Sequence, residues 1–157
     1  MAEVTFRPLK QSDYSELRKM IHALHREDPA DKMIDDRKIS RTIREMRKKR
    51  AVGKIIIFEG DCGIIGYSIL VYFWSNEYGG RILNVDELYV KPEARRLGVA
   101  TRFFDHLSWA FKNKIVAVKL EVTPSNTKAL TYYRKLGFKK TRNQHLIQEE
   151  NRLGIKP

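Results

Sequence analysis

The sequence predicts a mixed α/β fold: a central sheet, mostly antiparallel, that contains one parallel strand pair and carries helices on both faces. Three observations point there. The apolar patterns run in the order β-α-α-β-β-β-α-β-α-β, with no internal repeat, low-complexity stretch or linker. Residues 54–90 hold three long apolar runs joined by short glycine-containing turns, which is the pattern of hairpins. Residues 81–122 then read strand, helix, strand, and such a crossover makes the two strands parallel. A chain of 157 residues suits one domain, taken here as residues 1–157.

Val4 and Phe6 alternate with polar residues, so a short strand opens the chain and Pro8 closes it. Asp13 and Glu16 have the spacing of a capping box, and Leu17, Met20, Ile21 and Leu24 repeat at helical spacing; a helix is expected over about residues 12–26. A polar loop with Pro29 follows. The second helix is expected over about residues 36–50, with Ile39, Ile43 and Met46 as one narrow apolar stripe. Its other positions are crowded with Arg37, Lys38, Arg41, Arg44, Arg47, Lys48, Lys49 and Arg50. Residues 54–59 and 64–74 form a hairpin around the Gly60–Gly63 turn, and residues 81–90 form a third strand after Gly79-Gly80. A loop with Pro92 leads to a helix that opens near Gly98 and should bury Ala100, Phe103, Phe104, Leu107, Ala110 and Phe111. Residues 115–122 read as a strand that Thr123-Pro124-Ser125-Asn126 breaks. A helix then runs to Leu136, with Gly137 as its stop. Residues 138–148 are expected to form a last strand or hairpin, before a polar tail after Glu149.

Lys and Arg number 31 against 19 Asp and Glu, a formal charge of +12, which favours anionic partners such as a phosphorylated ligand, nucleic acid or an acidic surface. Glu3 and Arg7 near the start argue against a secretory signal, and no apolar run is long enough to cross a membrane. The lone cysteine, Cys62, excludes an internal disulfide and a cysteine-zinc cluster; a reducing, cytoplasmic setting is the expectation. His22 and His25 lie three apart on the first helix, but two histidines lack the third ligand that a metal needs, so no metal is expected. They fit a helix surface or the edge of a substrate site. Cys62, in its turn, is a poor candidate for a covalent intermediate.

The segment Arg95-Arg96-Leu97-Gly98-Val99-Ala100 lies between a long strand and an amphipathic helix. The first turn of a helix leaves backbone N–H groups without partners and carries partial positive charge, so a phosphate fits there. Gly98 lets the backbone approach closely, Ala100 keeps the next contact small, Thr101 adds a hydroxyl, and the two arginines add cationic field. One glycine alone describes an ordinary strand-to-helix loop equally well. The dinucleotide fingerprint needs three glycines and the Walker loop needs Gly-Lys-Ser/Thr; neither is present.

A second constellation follows the next strand: Asn126, Ala129, Tyr133, Gly137 and Phe138, in the order Asn-x-x-Ala-x-x-x-Tyr-x-x-x-Gly-Phe. Together the two segments resemble the acetyl-CoA signatures of the GNAT superfamily of N-acetyltransferases. That family's loop pattern is Gln/Arg-x-x-Gly-x-Gly/Ala, and its later helix often carries these Asn, Ala, Tyr and Gly-Phe residues. The element order is similar as well, so the resemblance covers nearly the whole chain. It implies acetyl-CoA as cofactor and acetyl transfer to a primary amine by direct attack. Backbone amides from Arg96 to Ala100, beside Arg95 and Thr101, would hold the pyrophosphate. Leu88, Tyr89 and Val90, at a strand end splayed from its parallel neighbour, would bond the pantetheine arm. Asn126 and Ala129 would lie against the cofactor, and Tyr133 would protonate the leaving thiolate. Neighbours on a helix point about 100° apart, so Tyr132 cannot share that role.

The amine must also lose a proton, because a lysine-like amine has a pKa of about 10.4 in water. The carboxylate candidates are Asp86 and Glu87, and strand alternation lets only one face the cleft. Residues 72–90 also resemble the corresponding part of polyamine and thialysine acetyltransferases; in the polyamine branch the acidic base lies four residues before the terminal valine of the strand, which is Asp86 counting from Val90. A β-bulge would move the register to Glu87. The resemblance further places Tyr72, Trp74, Asn76, Glu77 and Tyr78 near the acceptor, and implies that a homodimer can form through a sheet edge or the C-terminal strands. The cationic second helix would repel a polyamine, so an acidic small molecule or an amine on an anionic partner fits the charge better. Two alternatives stay open. The basic helix could dock on nucleic acid, which is less expected than a solvated face. The protein could also bind acetyl-CoA without catalysing transfer.

Overall fold

The computed structural model describes residues 3–49, 51–143 and 145–147. Arg50 at the expected end of the second helix, Gln148 at the end of the expected last strand and the tail after Glu149 lie outside the described residues. The chain divides into two compact units, residues 1–126 and 127–157.

The first unit is a five-stranded sheet in the order β1-β2-β3-β4-β5, with β1 (Thr5–Pro8), β2 (Gly53–Gly60), β3 (Gly63–Ser75), β4 (Gly80–Val90) and β5 (Ala117–Leu120). Every neighbouring pair is antiparallel except β4 and β5, which are parallel because helix α3 (Val99–Ala110) crosses between them. Helices α1 (Tyr14–Glu27) and α2 (Asp36–Lys48) precede β2. Pro8 lies in an edge strand, where a missing N–H costs no ladder bond.

Both faces of the sheet are covered. On one, Leu17, Met20 and Ile21 of α1 with Ile39 and Ile43 of α2 pack on Ile55, Ile57, Tyr67, Ile69 and Tyr89. On the other, Val99, Phe103, Leu107 and Phe111 pack on Ile56, Phe58, Leu70, Leu83 and Val85. Alternation along β2 sends Ile55 and Ile57 one way and Ile56 and Phe58 the other. A strand covered on both faces therefore reads as a continuous apolar run rather than an alternating one. Helix α2 is capped by Asp35, whose side chain accepts the Lys38 N–H at 2.7 Å.

The expected capping box of α1 does not form. Asp13 has no bond into α1; its carboxylate takes the Lys10 N–H at 2.7 Å and the Arg7 guanidinium at 2.7 and 3.1 Å. Glu16 pairs instead with Lys91 at 2.6 Å and Lys19 at 3.2 Å. The Asp13 carboxylate is thus committed to the charged donors of Arg7, which make the stronger bonds, and to the Lys10 amide ahead of the helix. In α3 the deeply buried apolar position of the first turn is Val99, while Ala100 is only partly covered.

The second unit contains helix α4 (Thr127–Lys135). Gly137 ends it at φ 91°, a conformation that glycine reaches without strain, as the sequence leads one to expect. The Phe138 N–H reaches back to the Tyr133 carbonyl at 3.0 Å, and the two rings meet edge to face with centroids 5.7 Å apart. The Tyr-x-x-x-Gly-Phe motif is thus, locally, a Schellman stop with its apolar contact. No strand forms among the described residues of 138–148. That stretch lacks the alternation of a half-buried strand, and its Leu146 and Ile147 are exposed.

Candidate active site

The two acids of β4 are separated by the geometry of the strand. Ile69 of β3 stands opposite Glu87, but Leu70 stands opposite Val85, so Asp86 is an extra residue with no partner in the ladder. A bulge of this kind re-aims a side chain and ends regular pairing. Simple alternation between Asp86 and Glu87 is lost here.

Glu87 is occupied. The Tyr67 hydroxyl donates to its Oε2 at 2.7 Å, and His25 Nε2 lies 3.1 Å from its Oε1. The Ser68 hydroxyl donates to the Glu87 carbonyl at 2.8 Å. Tyr67 and Ser68 are fully buried, and burial, then the Glu87 charge, hold the Tyr67 phenol well above its ordinary range. Asp86 has no hydrogen bond or ion pair among the described residues. Its side chain reaches solvent, yet protein packs around it closely enough that desolvation, followed by the charges of Glu87 and Glu121, raises its carboxyl above the usual aspartate value. Two residues earlier, the buried Asn84 Oδ1 has no partner among the described residues.

The parallel pair parts beside these acids. Pairing of β4 with β5 runs from Ile82–Ala117 to Val85–Leu120, after which β4 continues to Val90 paired with β3 only. Asp86, Glu87, Leu88, Tyr89 and Val90 therefore border a gap on the β5 side. The loop that follows carries two left-handed residues, Arg96 at φ 66° and Gly98 at φ 74°. Left-handed residues are a feature of loops whose amides make anion-binding concavities. The first intrahelical bond of α3 joins the Arg102 N–H to the Gly98 carbonyl at 3.0 Å, which leaves the Val99 and Ala100 amides without an intrahelical acceptor. A Cβ at Gly98 would meet nothing within 4 Å, so the space beside this glycine is open. No acid lies between Arg95 and Thr101. This donor set fits a pyrophosphate. The Arg102 guanidinium steadies the loop through the Leu97 carbonyl at 3.1 Å.

Arg95 points elsewhere. Its Nη2 reaches both Glu27 carboxylate oxygens at 3.0 and 2.7 Å, its Nε donates to the Val90 carbonyl at 2.7 Å, and its guanidinium lies 5.4 Å from the Tyr89 ring centre. Beyond β5, the Asn126 amide donates from Nδ2 to Asp28 at 3.1 Å. In the second unit, Ala129 and Tyr133 are half-buried, and burial pushes the Tyr133 phenol up to about 12.

Trp74, near the end of β3, and Asn76, Glu77 and Tyr78, in the turn that follows, are exposed, at the end of β4 opposite the loop. Trp74 pairs with Arg81, and five residues of strand from there to Asp86 span about 16 Å. His22 pairs with Asp36 at 3.0 Å, whereas His25 joins Glu87. The His25–Glu87 pair was invisible in the sequence, where the residues stand 62 apart. A groove of about 510 Å³ runs along α1 and α2; Arg18, Arg44, Arg47 and Lys48 line it with Tyr14, Ser40 and Ile43, and no acid does among the described residues.

A mostly antiparallel sheet whose one parallel pair parts beside a bulged acid, next to an amide-lined helix start, has the architecture of an acyl-CoA-dependent transferase. Residues 15–138 match the acetyltransferase (GNAT) family, and the chain belongs to it: it is an acetyltransferase enzyme, of a family that draws its acetyl group from acetyl-CoA. Over 152 residues it is 28% identical to thialysine N-epsilon-acetyltransferase of Sus scrofa, covering 87% of this chain and 85% of that one. Its fold is similar to that of a possible acetyltransferase from Clostridium difficile 630, with a TM-score of 0.80 at 20% identity over 93% of this chain and 97% of that one. It is also similar in fold to AAC(6')-Iy, solved with a bisubstrate analogue of CoA, with a TM-score of 0.76 at 16% identity over 94% and 99% of the two chains. Among the described residues, no helix is long and apolar enough to cross a membrane.

Proposed function

We propose that the protein moves the acetyl group of acetyl-CoA to a primary amine by direct attack, with Asp86 as base and Tyr133 as general acid, in one domain that spans both compact units. The observation that carries the choice of base is the bulge. It frees Asp86 from the ladder while Tyr67 and His25 engage both oxygens of Glu87. Acetyl-CoA supplies the activated thioester. The amides of Arg96, Leu97, Gly98, Val99 and Ala100 hold its pyrophosphate, with Thr101 beside them. The Leu88–Val90 strand end lines the pantetheine arm, and Asn126 and Ala129 flank it. Arg95 anchors the loop.

Asp86, directly or through a water, accepts the proton that the amine must lose before it attacks. A raised carboxyl is a stronger base than an ordinary aspartate, and a closer match to working pH makes the transfer more efficient. Tyr133 keeps its hydroxyl proton across the working range because burial holds the phenol high, and it gives that proton to the departing sulfur. Trp74, Asn76, Glu77 and Tyr78 contact the far end of the acceptor, which must be extended to reach them. The relative's acceptor, by its name the ε-amine of thialysine, heads the list of amines to try. Thiol release from acetyl-CoA across a panel of amino acids, polyamines and peptides tests the proposal. At least one primary amine should be turned over, and Tyr133→Phe should lower kcat by about 10²-fold or more. Saturable binding of acetyl-CoA with no acceptor turned over would leave only a binding protein.

The groove lined by Arg18, Arg44, Arg47 and Lys48 favours a second role, docking on a nucleic-acid backbone. Binding to random duplex that weakens steeply with salt, and less steeply in an Arg44→Ala/Lys48→Ala variant, would support it. The same weak binding in both proteins would remove it.

A further inference from the structure

Helix α1 ends on Glu27, and its C-cap is a second acid, Asp28. A helix C-terminus carries partial negative charge, so acids there work against the helix that holds them. Both are engaged by distant parts of the chain. Glu27 accepts the two Arg95 bonds at 3.0 and 2.7 Å, and the Tyr89 hydroxyl donates to it at 3.4 Å. Asp28 accepts the Thr123 hydroxyl at 2.7 Å and the Asn126 amide at 3.1 Å. Arg95 opens the loop that leads into α3, and it is fixed to the end of β4 through the Val90 carbonyl. Thr123 and Asn126 form the turn beyond β5, closed by the Asn126 N–H on the Thr123 carbonyl at 2.8 Å. These are the two lips of the gap left where β4 and β5 part.

We infer that Glu27 and Asp28 form a clasp that sets the width of this gap, one acid holding each lip. They are positioning residues, and the role rests on the proposal that the loop beside the gap holds the cofactor pyrophosphate. The two acids stand on consecutive residues, so both lips are tied to one short stretch of backbone. The Glu27–Arg95 pair is partly exposed on both sides, at 43% and 40%, and pairs of that kind contribute little to overall stability. The clasp therefore acts on the fit of the cofactor more than on the fold. It also ties α1, which bears His25 of the Glu87 network, to both cofactor lips.

Calorimetric titration of coenzyme A, with steady-state kinetics beside it, tests the clasp. Asp28→Ala and Glu27→Ala should each weaken coenzyme A binding and raise the KM for acetyl-CoA by about tenfold, with kcat within about twofold of the parent. Asp28→Asn should recover most of the loss, since its amide oxygen still accepts. Melting temperatures should stay within about 2 °C of the parent, as expected when weak surface contacts are lost. Coenzyme A affinity unchanged in both alanine variants overturns the clasp. So does a rise confined to the acceptor KM, which would make Asp28 a direct acceptor contact. Pantetheine, which lacks the pyrophosphate, separates the two levels. If the parent protein binds coenzyme A no more tightly than pantetheine, the pyrophosphate proposal fails and the clasp with it. If coenzyme A binds more tightly and the variants do not matter, only the clasp fails.

Discussion

The two faces of the sheet are packed by different rules. Under α3 the core is aliphatic and aromatic throughout: Phe58, Phe103, Leu70, Leu83 and Val85 surround one another, with the Phe58 and Phe103 ring centres 4.6 Å apart. Under α1 and α2 the core holds two tyrosines, and the Tyr67 hydroxyl ends on a carboxylate that also meets a histidine. An apolar core gains from every contact. A buried polar network gains only while every member is satisfied, and one missing partner makes it costly. The contrast shows a division of labour: one face fixes the strands in place, and the other carries charged groups into the heart of the sheet, beside the point where β4 and β5 part.

The comparison breaks most visibly on its apolar side. Phe103→Ala should destabilise the protein by about 3–5 kcal/mol, read by chemical or thermal denaturation. A loss under about 1 kcal/mol would mean that this face is not the anchor. The next effect belongs to the other side. Asp86→Asn should lower kcat/KM by about 10²–10³-fold. It should leave stability at neutral pH unchanged or raised: a carboxyl whose folded pKa is raised loses stability as pH rises through its ionisation, and the amide has no such loss.

Glu87→Gln sharpens the distinction between the neighbouring acids. It should destabilise by about 1–3 kcal/mol, because Tyr67 and His25 lose a charged partner. The Glu87 charge also helps to raise Asp86, so the acid limb of kcat/KM should move to lower pH in this variant. An acid limb unmoved by Glu87→Gln would uncouple the two carboxylates. The smallest effect lies at the edge of the sheet. Arg7 holds the Asp13 carboxyl below its usual value, so the stability it contributes is present above the unfolded aspartate value and is lost as pH falls through the lower folded one. Melting temperatures recorded from pH 6 down to pH 2 should fall less steeply in Asp13→Asn than in the parent.

Much of this was legible in the sequence, and the failures have physical causes. Helical spacing placed α1 and α2 to within a few residues, because an amphipathic stripe is a local pattern. The long strands around Tyr67 and Leu83 were legible as apolar runs between glycine-containing turns, and the crossover through α3 placed the parallel pair. The loop at Gly98 and the stop at Gly137 were legible because each needs a backbone that glycine supplies most cheaply. A bulge in this strand was foreseen only as a shift that would favour Glu87; its place at Asp86 was not legible, since nothing in a period-two pattern says which residue will be left out of register, and Glu87 is the acid that Tyr67 and His25 occupy. The Glu87–Tyr67–His25 network and the Glu27 and Asp28 contacts join residues distant in the chain, and no spacing rule reaches them. The expected strand over 138–148 rested on too few apolar residues to bury a face.

The most direct test is the rate of thiol release from acetyl-CoA with a turned-over primary amine, followed from pH 5 to pH 10 for the parent, Asp86→Asn and Glu87→Gln. Loss of most activity in Asp86→Asn at every pH, with Glu87→Gln active and its acid limb shifted downward, is the expected result. Parent-like rates in Asp86→Asn, with activity lost in Glu87→Gln instead, would contradict the assignment of Asp86 as base and move that role to its neighbour.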